Sequence, residues 1–314
     1  MADLLLRPSP ALRPSSGAIP ARTVLTAGLV VSLTALLVAL IGLAVDPRSI
    51  GGAPAWLKPM KFAVSVSLYL LTLRLLLPSL DRFRRRLGTV AVVLVSLLAA
   101  ELVLIDLQVV RGTTSHFNER TPFDAAVYYG MGGMVSVVFL ATAVVAVMAL
   151  RSRGTDRGVA AGVRWGLLLA LVGMAEAVLM TVNFGWQEGG GHTVGAADGG
   201  PGMPITDWSL LHGDLRIGHF LGLHALQVLP VLAVLLARIG LPEQMRRRLA
   251  TVAGAGYLGA IALVTWQALR GEPLVAPSAA TLIAAATLLA VVLLGVVGVL
   301  VAERRRELGL RATR

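Results

Sequence analysis

Apolar and polar positions along this chain alternate on the scale of whole helices. Eight mostly apolar runs, at 24–45, 60–80, 88–110, 126–150, 158–183, 215–239, 249–269 and 276–301, are separated by polar stretches. At ~1.5 Å rise per residue, each run covers the ~30 Å of hydrocarbon in a bilayer. The pattern predicts an all-α, polytopic transmembrane helical bundle of eight spans. A Pro-, Ser- and Arg-rich segment at 1–22 is expected to be a disordered cytoplasmic tail. One transmembrane domain is expected at 23–301 and a basic cytoplasmic tail at 302–314. The first apolar run is too long for the core of a cleavable signal, and no small-x-small site closes it. The one long polar loop, 184–214, is glycine-rich yet holds Trp186, Met203, Ile205 and Trp208, so it is expected to form an ordered cap.

Composition agrees. Charged residues make up 14% of the chain and mean hydropathy is +0.79, whereas a soluble domain carries about a quarter charged residues. The net charge of +11 would suit nucleic acid if it formed a basic face with interleaved aromatics. It does not. The arginines sit in short clusters around alternate spans: Arg7, Arg13 and Arg22; Arg82 and Arg84 to Arg86; Arg151, Arg153 and Arg157; Arg238 and Arg246 to Arg248; and Arg304 to Arg306 with Arg311 and Arg314. Every second loop is therefore basic, which predicts that both termini are cytoplasmic and that the bilayer, not nucleic acid, is the partner. The Ala, Val, Leu, Gly and Arg bias points to a GC-rich bacterium and hence to its cytoplasmic membrane. With no cysteine, disulfides, thiolate metal sites and Cys nucleophiles are excluded. The glycine-rich loop lacks the GK[ST] ending of a phosphate cradle. Arg74 and Arg164, near cytoplasmic span ends, are expected to snorkel. Small residues in the last two spans read as helix-packing surfaces.

Candidate chemistry gathers on the opposite side. All five histidines, His116, His192, His212, His219 and His224, fall in outward loops or outer halves of spans. Helical rise puts Glu101, Glu176 and His224 at one level, roughly 10–14 Å below the outer surface. Ionisable groups at such depth are functional candidates. Gln108 shares a helix face with Glu101, Asn183 shares one with Glu176, and Gln227 follows His224 by a turn. On the second span Lys58, Lys61, Ser65, Tyr69 and Thr72 share a face, where a lysine would offset repulsion between the two glutamates. Pro230 removes a backbone donor and frees the Leu226 carbonyl near Gln227. Of these, Lys58, Lys61, Tyr69, Glu101, Gln108, Glu176, Asn183 and Gln227, with His116, Asp124 and Arg216, are the ligand-binding candidates. His192, Asp198, His212, Asp214, His219 and His224 are the metal candidates, since His and carboxylate donors suit zinc or iron. Plainer roles fit as well. Glu101 and Glu176 could serve as interhelical hydrogen-bonding groups, and Lys58 and Lys61 as interfacial anchors beside Trp56. His219 and His224 lie about 140° apart on a helix, so they cannot share one small ion.

The blocks WLKPMKF, RGTTSHFNERTPFD, GHTVGAADGGPGMPITDWS and GDLRIGHFLGLHALQVLP resemble those of a group of uncharacterised polytopic membrane proteins from GC-rich bacteria. The likeness covers roughly residues 45–235. That group has no established activity, so the resemblance implies a membrane fold and no catalytic residues. It implies that Lys58, Lys61, His116, Asn118, Asp124, His192, Asp198, Asp214, Arg216, His219 and His224 belong to characteristic motifs. The last two spans lie outside it.

Three functions are compatible with this pattern. The first is binding of a metal ion, a proton or a small solute at a polar His/carboxylate site in the outer leaflet, for sensing or transport. Nearly apolar cytoplasmic halves of the third, fifth and sixth spans, and the lack of an inverted repeat, favour binding over transport. The second is a membrane-embedded metal-dependent or redox enzyme acting on a lipid-like substrate at the outer face. Its cofactor would be a divalent metal. Haem fits less well, because only the sixth span carries histidines and His116 or a Met would have to supply the second ligand. The third is a structural or assembly partner. The pattern leaves the oligomeric state open.

Overall fold

The computed structural model describes residues 20–152, 156–182 and 190–312. It is all-helical apart from two short antiparallel ladders. The long helices are α1 (Ala21–Val45), α2 (Leu57–Leu76), α3 (Arg84–Val110), α4 (Pro122–Arg151), α5 (Arg157–Val182), α6 (Arg216–Arg238), α7 (Glu243–Leu269) and α8 (Ala279–Ala312). The ladders pair β1 (Ser49–Ile50) with β2 (Ala53–Pro54), and β3 (Thr193–Val194) with β4 (Gly213–Asp214). Seven helical stretches among the described residues are long and apolar enough to cross a bilayer.

One of these stretches, Leu57–Val110, contains both α2 and α3, joined by a 3-10 turn at Leu77–Phe83. It is a hairpin. A straight helix would hold Lys58 and Glu101 roughly 65 Å apart, yet they lie within electrostatic range of each other. A Cβ on Gly28 of α1 would meet both Val95 and Leu70, one from each arm. The α-helix gives way to the 3-10 turn after Leu76, short of the expected 80: Leu77 keeps helical φ and ψ, but Pro78 has no N–H to donate to the Arg74 carbonyl, so the i to i−4 ladder ends there. The other boundaries follow from equally local chemistry. α4 starts at Pro122, four residues earlier than the apolar run, because the Thr121 hydroxyl accepts from the Asp124 N–H at 3.1 Å and donates to its carboxylate at 2.6 Å. α8 waits until after Pro277 and the Ser278 cap. The segment expected to be a basic tail instead continues α8 to Ala312, in keeping with the helix propensity of its Arg, Glu and Leu residues. At the other terminus α1 already includes Ala21 and Arg22 behind Pro20, and residues 1–19 of the expected tail lie outside the described residues.

Small residues set the helix spacing. α5 and α6 come closest where Gly173 faces Gly222: a Cβ on Gly222 would lie 2.3 Å from the Gly173 Cα. Gly162 and Gly166 continue that seam against Leu229 and Ala225. In α7, Gly254 receives the Trp165 ring, while Gly256 and Gly259 receive Val292 and Leu288 of α8. The main core is apolar and joins α1 to α6 through residues such as Leu25, Leu70, Leu94, Leu167 and Leu226. It fills the half of the bundle toward the arginine clusters. Both ladders and the histidines lie at the other end.

Candidate functional site

A folded roof covers the histidine end. Asp198 accepts from the backbone N–H groups of His192 and Thr193 at 2.9–3.3 Å. The Leu215 N–H donates to the His192 carbonyl at 2.9 Å, beside the β3–β4 ladder. Asp214, with no exposed surface, accepts from the Ser209 N–H and receives the Arg216 guanidinium on both oxygens, at 2.7–3.2 Å. Arg216 also holds the Asp207 carboxylate at 3.2 Å and the Asp207 carbonyl. This fork clamps a strained turn, since Ile205 and Asp207 both adopt left-handed φ, 67° and 58°. The roof docks on α7 at Gly213, where a Cβ would lie 1.9 Å from the Ala268 carbonyl oxygen. It docks on α2 through Lys61, whose ammonium donates to the Thr206 carbonyl at 2.9 Å.

Beneath the roof a polar cluster forms from α2, α3, α6 and the 111–121 loop. Lys58 lies within electrostatic range of Lys61, Arg216, Glu101 and Asp198, yet among the described residues it makes no ion pair. Its ammonium sits 5.8 Å from the centre of the Phe62 ring. Glu101 is 3% exposed, and among the described residues neither carboxylate oxygen has a hydrogen-bond partner. His116 packs at a tilt of 58° against Phe62 with ring centres 5.7 Å apart, and its Nδ1 meets the Ser115 hydroxyl at 3.0 Å. Burial, then the nearby Lys58, pulls His116 well below the usual histidine range. His192 has Asp198 at 3.2 Å and Asp214 at 3.9 Å from Nδ1. Burial and Arg216 outweigh those two acids and lower its pKa to about 4, so it is neutral at pH 7. Among the described residues the cluster thus holds one lysine outside any ion pair and one buried acid without a hydrogen-bond partner.

No protein-family model, curated protein or solved structure matches this chain.

The remaining candidates serve the walls. Gln108 donates to Asp124 at 2.9 Å, and Arg111 pairs with the same carboxylate at 2.5 Å, locking α3 to α4. Tyr69 shares a 2.7 Å hydrogen bond with Thr142 of α4. Gln227 donates to Thr72 of α2 at 3.2 Å and meets His224 Nδ1 at 3.3 Å. The His219 Nδ1 lies 2.6 Å from the Gly173 carbonyl oxygen. Glu176 accepts from Thr265 of α7 at 2.6 Å, and its second oxygen is buried without a partner against Gly218. It points between α6 and α7, so the structure does not bring it to Glu101. His212 contributes its backbone N–H to the Ser209 hydroxyl. Asn183 lies outside the described residues, as do residues 184–189 of the expected cap. Among the described residues no three His, Asp or Glu side chains converge as metal ligands, so the six metal candidates do not form one centre. The sequence reading missed Arg111, Asp207, Phe62 and the Thr206 carbonyl. Arg111 had a signal, its (i, i+3) spacing from Gln108. The others join the site through tertiary contacts that no spacing encodes.

Proposed function

We propose that the chain crosses a bacterial cytoplasmic membrane eight times, with both termini inside, and that the site under the roof binds a small polar solute reached from the outer face. Counting the α2–α3 hairpin as two crossings gives an even number and returns every arginine cluster to one side, in line with the positive-inside rule. The observation that carries the binding reading is Glu101, buried with both oxygens unpartnered among the described residues. Such a group costs stability and is retained where a ligand satisfies it. Lys58, also unpaired, supplies the complementary charge. The occupant is therefore amphoteric, offering donors to Glu101 and an acceptor or anionic group to Lys58. Binding is favoured over transport because the half of the core toward the arginine clusters is apolar, which leaves a polar solute no onward path.

The test is a thermal-shift and calorimetric screen of the purified chain against small zwitterions, amines, carboxylates and divalent metals. A zwitterion that binds wild type but neither Glu101→Gln nor Lys58→Met supports the assignment. Failure of the whole panel, or binding that survives in both variants, refutes it.

A further inference from the structure

The arginine end holds a second feature, unrelated to the site under the roof. A cavity of about 560 Å³ lies between α5, α7 and α8. Arg164, Arg247 and Arg248 line it, together with Trp165, Leu168 and Val252. Three acids near this end face other partners, although the Glu303 Oε2 makes no hydrogen bond among the described residues. Asp156 pairs with Arg246 at 2.5 Å, Glu243 accepts from the Arg157 N–H at 2.6 Å, and Glu303 lies 3.9 Å from Arg306. Among the described residues neither Arg247 nor Arg248 has an ion-pair partner. Arg164 does not simply snorkel to water. It is tethered across to α4, where its Nε donates to the Ala149 carbonyl at 3.3 Å and its terminal nitrogen to the Ser152 carbonyl at 2.9 Å. The cations lie toward the helix ends. The apolar wall rises above them, since Leu168 follows Arg164 by one turn and Val252 follows Arg248 by one turn. Leu168 is exposed on the outer surface of the bundle, and Trp165 is of the type that favours the membrane interface.

We propose that this cavity binds the headgroup of an anionic phospholipid, its phosphodiester held by Arg164, Arg247 and Arg248 and its acyl chains lying along Leu168 and Val252. A basic pocket between spans on the cytoplasmic side is the arrangement that captures such headgroups. Arginine forks match phosphate oxygens, and the graded wall separates an anionic lipid from a free anion.

The experiment uses the full chain in dodecyl maltoside, with tryptophan quenching by phosphatidylglycerol brominated on its acyl chains. Wild type is expected to show a saturable quenched component that disappears in Trp165→Phe. The double variant R247Q/R248Q should bind roughly ten- to thirty-fold more weakly, at about one basic residue's contribution for each arginine lost. R304Q/R305Q, with the same charge change on α8 outside the cavity, should bind within roughly two-fold of wild type. Unfolding midpoints without lipid confirm that each variant is folded. Equal weakening in R304Q/R305Q would reduce the effect to diffuse surface charge and overturn the proposal. So would equal quenching by brominated phosphatidylcholine. Full competition by inorganic phosphate in the millimolar range would make this a free-anion site and would also overturn it.

Discussion

Replacing Glu101 by methionine should stabilise the protein. The side chain is 3% exposed and its two oxygens have no donors among the described residues. Leaving buried polar atoms unsatisfied costs about 1–3 kcal/mol each, and more if the group is charged. Methionine has nearly the same length and volume and adapts to irregular surroundings, so cavity and strain costs are small. Attraction to Lys58 is lost, which offsets roughly 1–2 kcal/mol at the effective dielectric of a protein interior. The net gain is about 1–3 kcal/mol, or a rise in Tm of roughly 2–8 °C. The measurement is thermal unfolding in detergent at pH 7, without added solutes, comparing wild type, Glu101→Met and Glu101→Gln. Glutamine keeps two unsatisfied polar atoms, so its Tm should stay near that of wild type. A fall of several degrees in the methionine variant would mean that Glu101 holds the helices together, and the reasoning from its missing partners would be refuted. The expected pattern, a more stable protein that no longer binds its solute, is the usual trade-off at a binding residue.

Three further outcomes are expected. His192 is neutral in the docked roof, with a pKa of about 4 against about 6.5 in water. The undocked roof therefore binds more protons between those values, docking is complete above pH 6.5, and it weakens by up to about 3 kcal/mol as pH falls toward 4. Hydrogen exchange of residues 190–215, corrected for intrinsic rates, should rise over that window in wild type and stay flat in His192→Gln. Gly173→Ala should cost about 2 kcal/mol or more, because its Cβ would lie 2.5 Å from the Leu223 nitrogen; Gly298→Ala, with nothing within 4 Å, should be neutral in the same unfolding assay. Arg216→Lys should cost about 2–4 kcal/mol, since a point charge cannot replace the fork on fully buried Asp214, and limited proteolysis should then cut the roof faster than in wild type.

Much of this architecture is legible in the sequence because the bilayer makes hydropathy a direct signal. The eight apolar runs correspond to eight helices, and the errors lie where local chemistry moves a boundary, as Pro78 and Thr121 do. The site was only half legible. Helical rise gives an expected depth along each helix, and it places Glu101, Glu176 and His224 at one level. Rise says nothing of which helices adjoin, and Glu176 faces Thr265 of α7 rather than Glu101. The roof was expected to be ordered from its aromatic content. Its actual ties are Asp198 and Asp214 bonding backbone N–H groups, and a lysine on α2 bonding a carbonyl 145 residues away. Backbone partners leave no trace in residue identity.

The sequence distances within the roof carry a consequence for biosynthesis. His192 with Asp198, Asp207 with Arg216 and Asp214 with Arg216 are separated by six, nine and two residues. All their chain has been synthesised once the start of α6 has been made. The seat of Gly213 on Ala268 belongs to α7, more than fifty residues later. Translation therefore orders the steps. The roof can assemble its own ion pairs and its Lys61 tie to α2 first, and the later α7 adds the second seat, so a chain truncated before that helix should display a formed roof held on α2 alone.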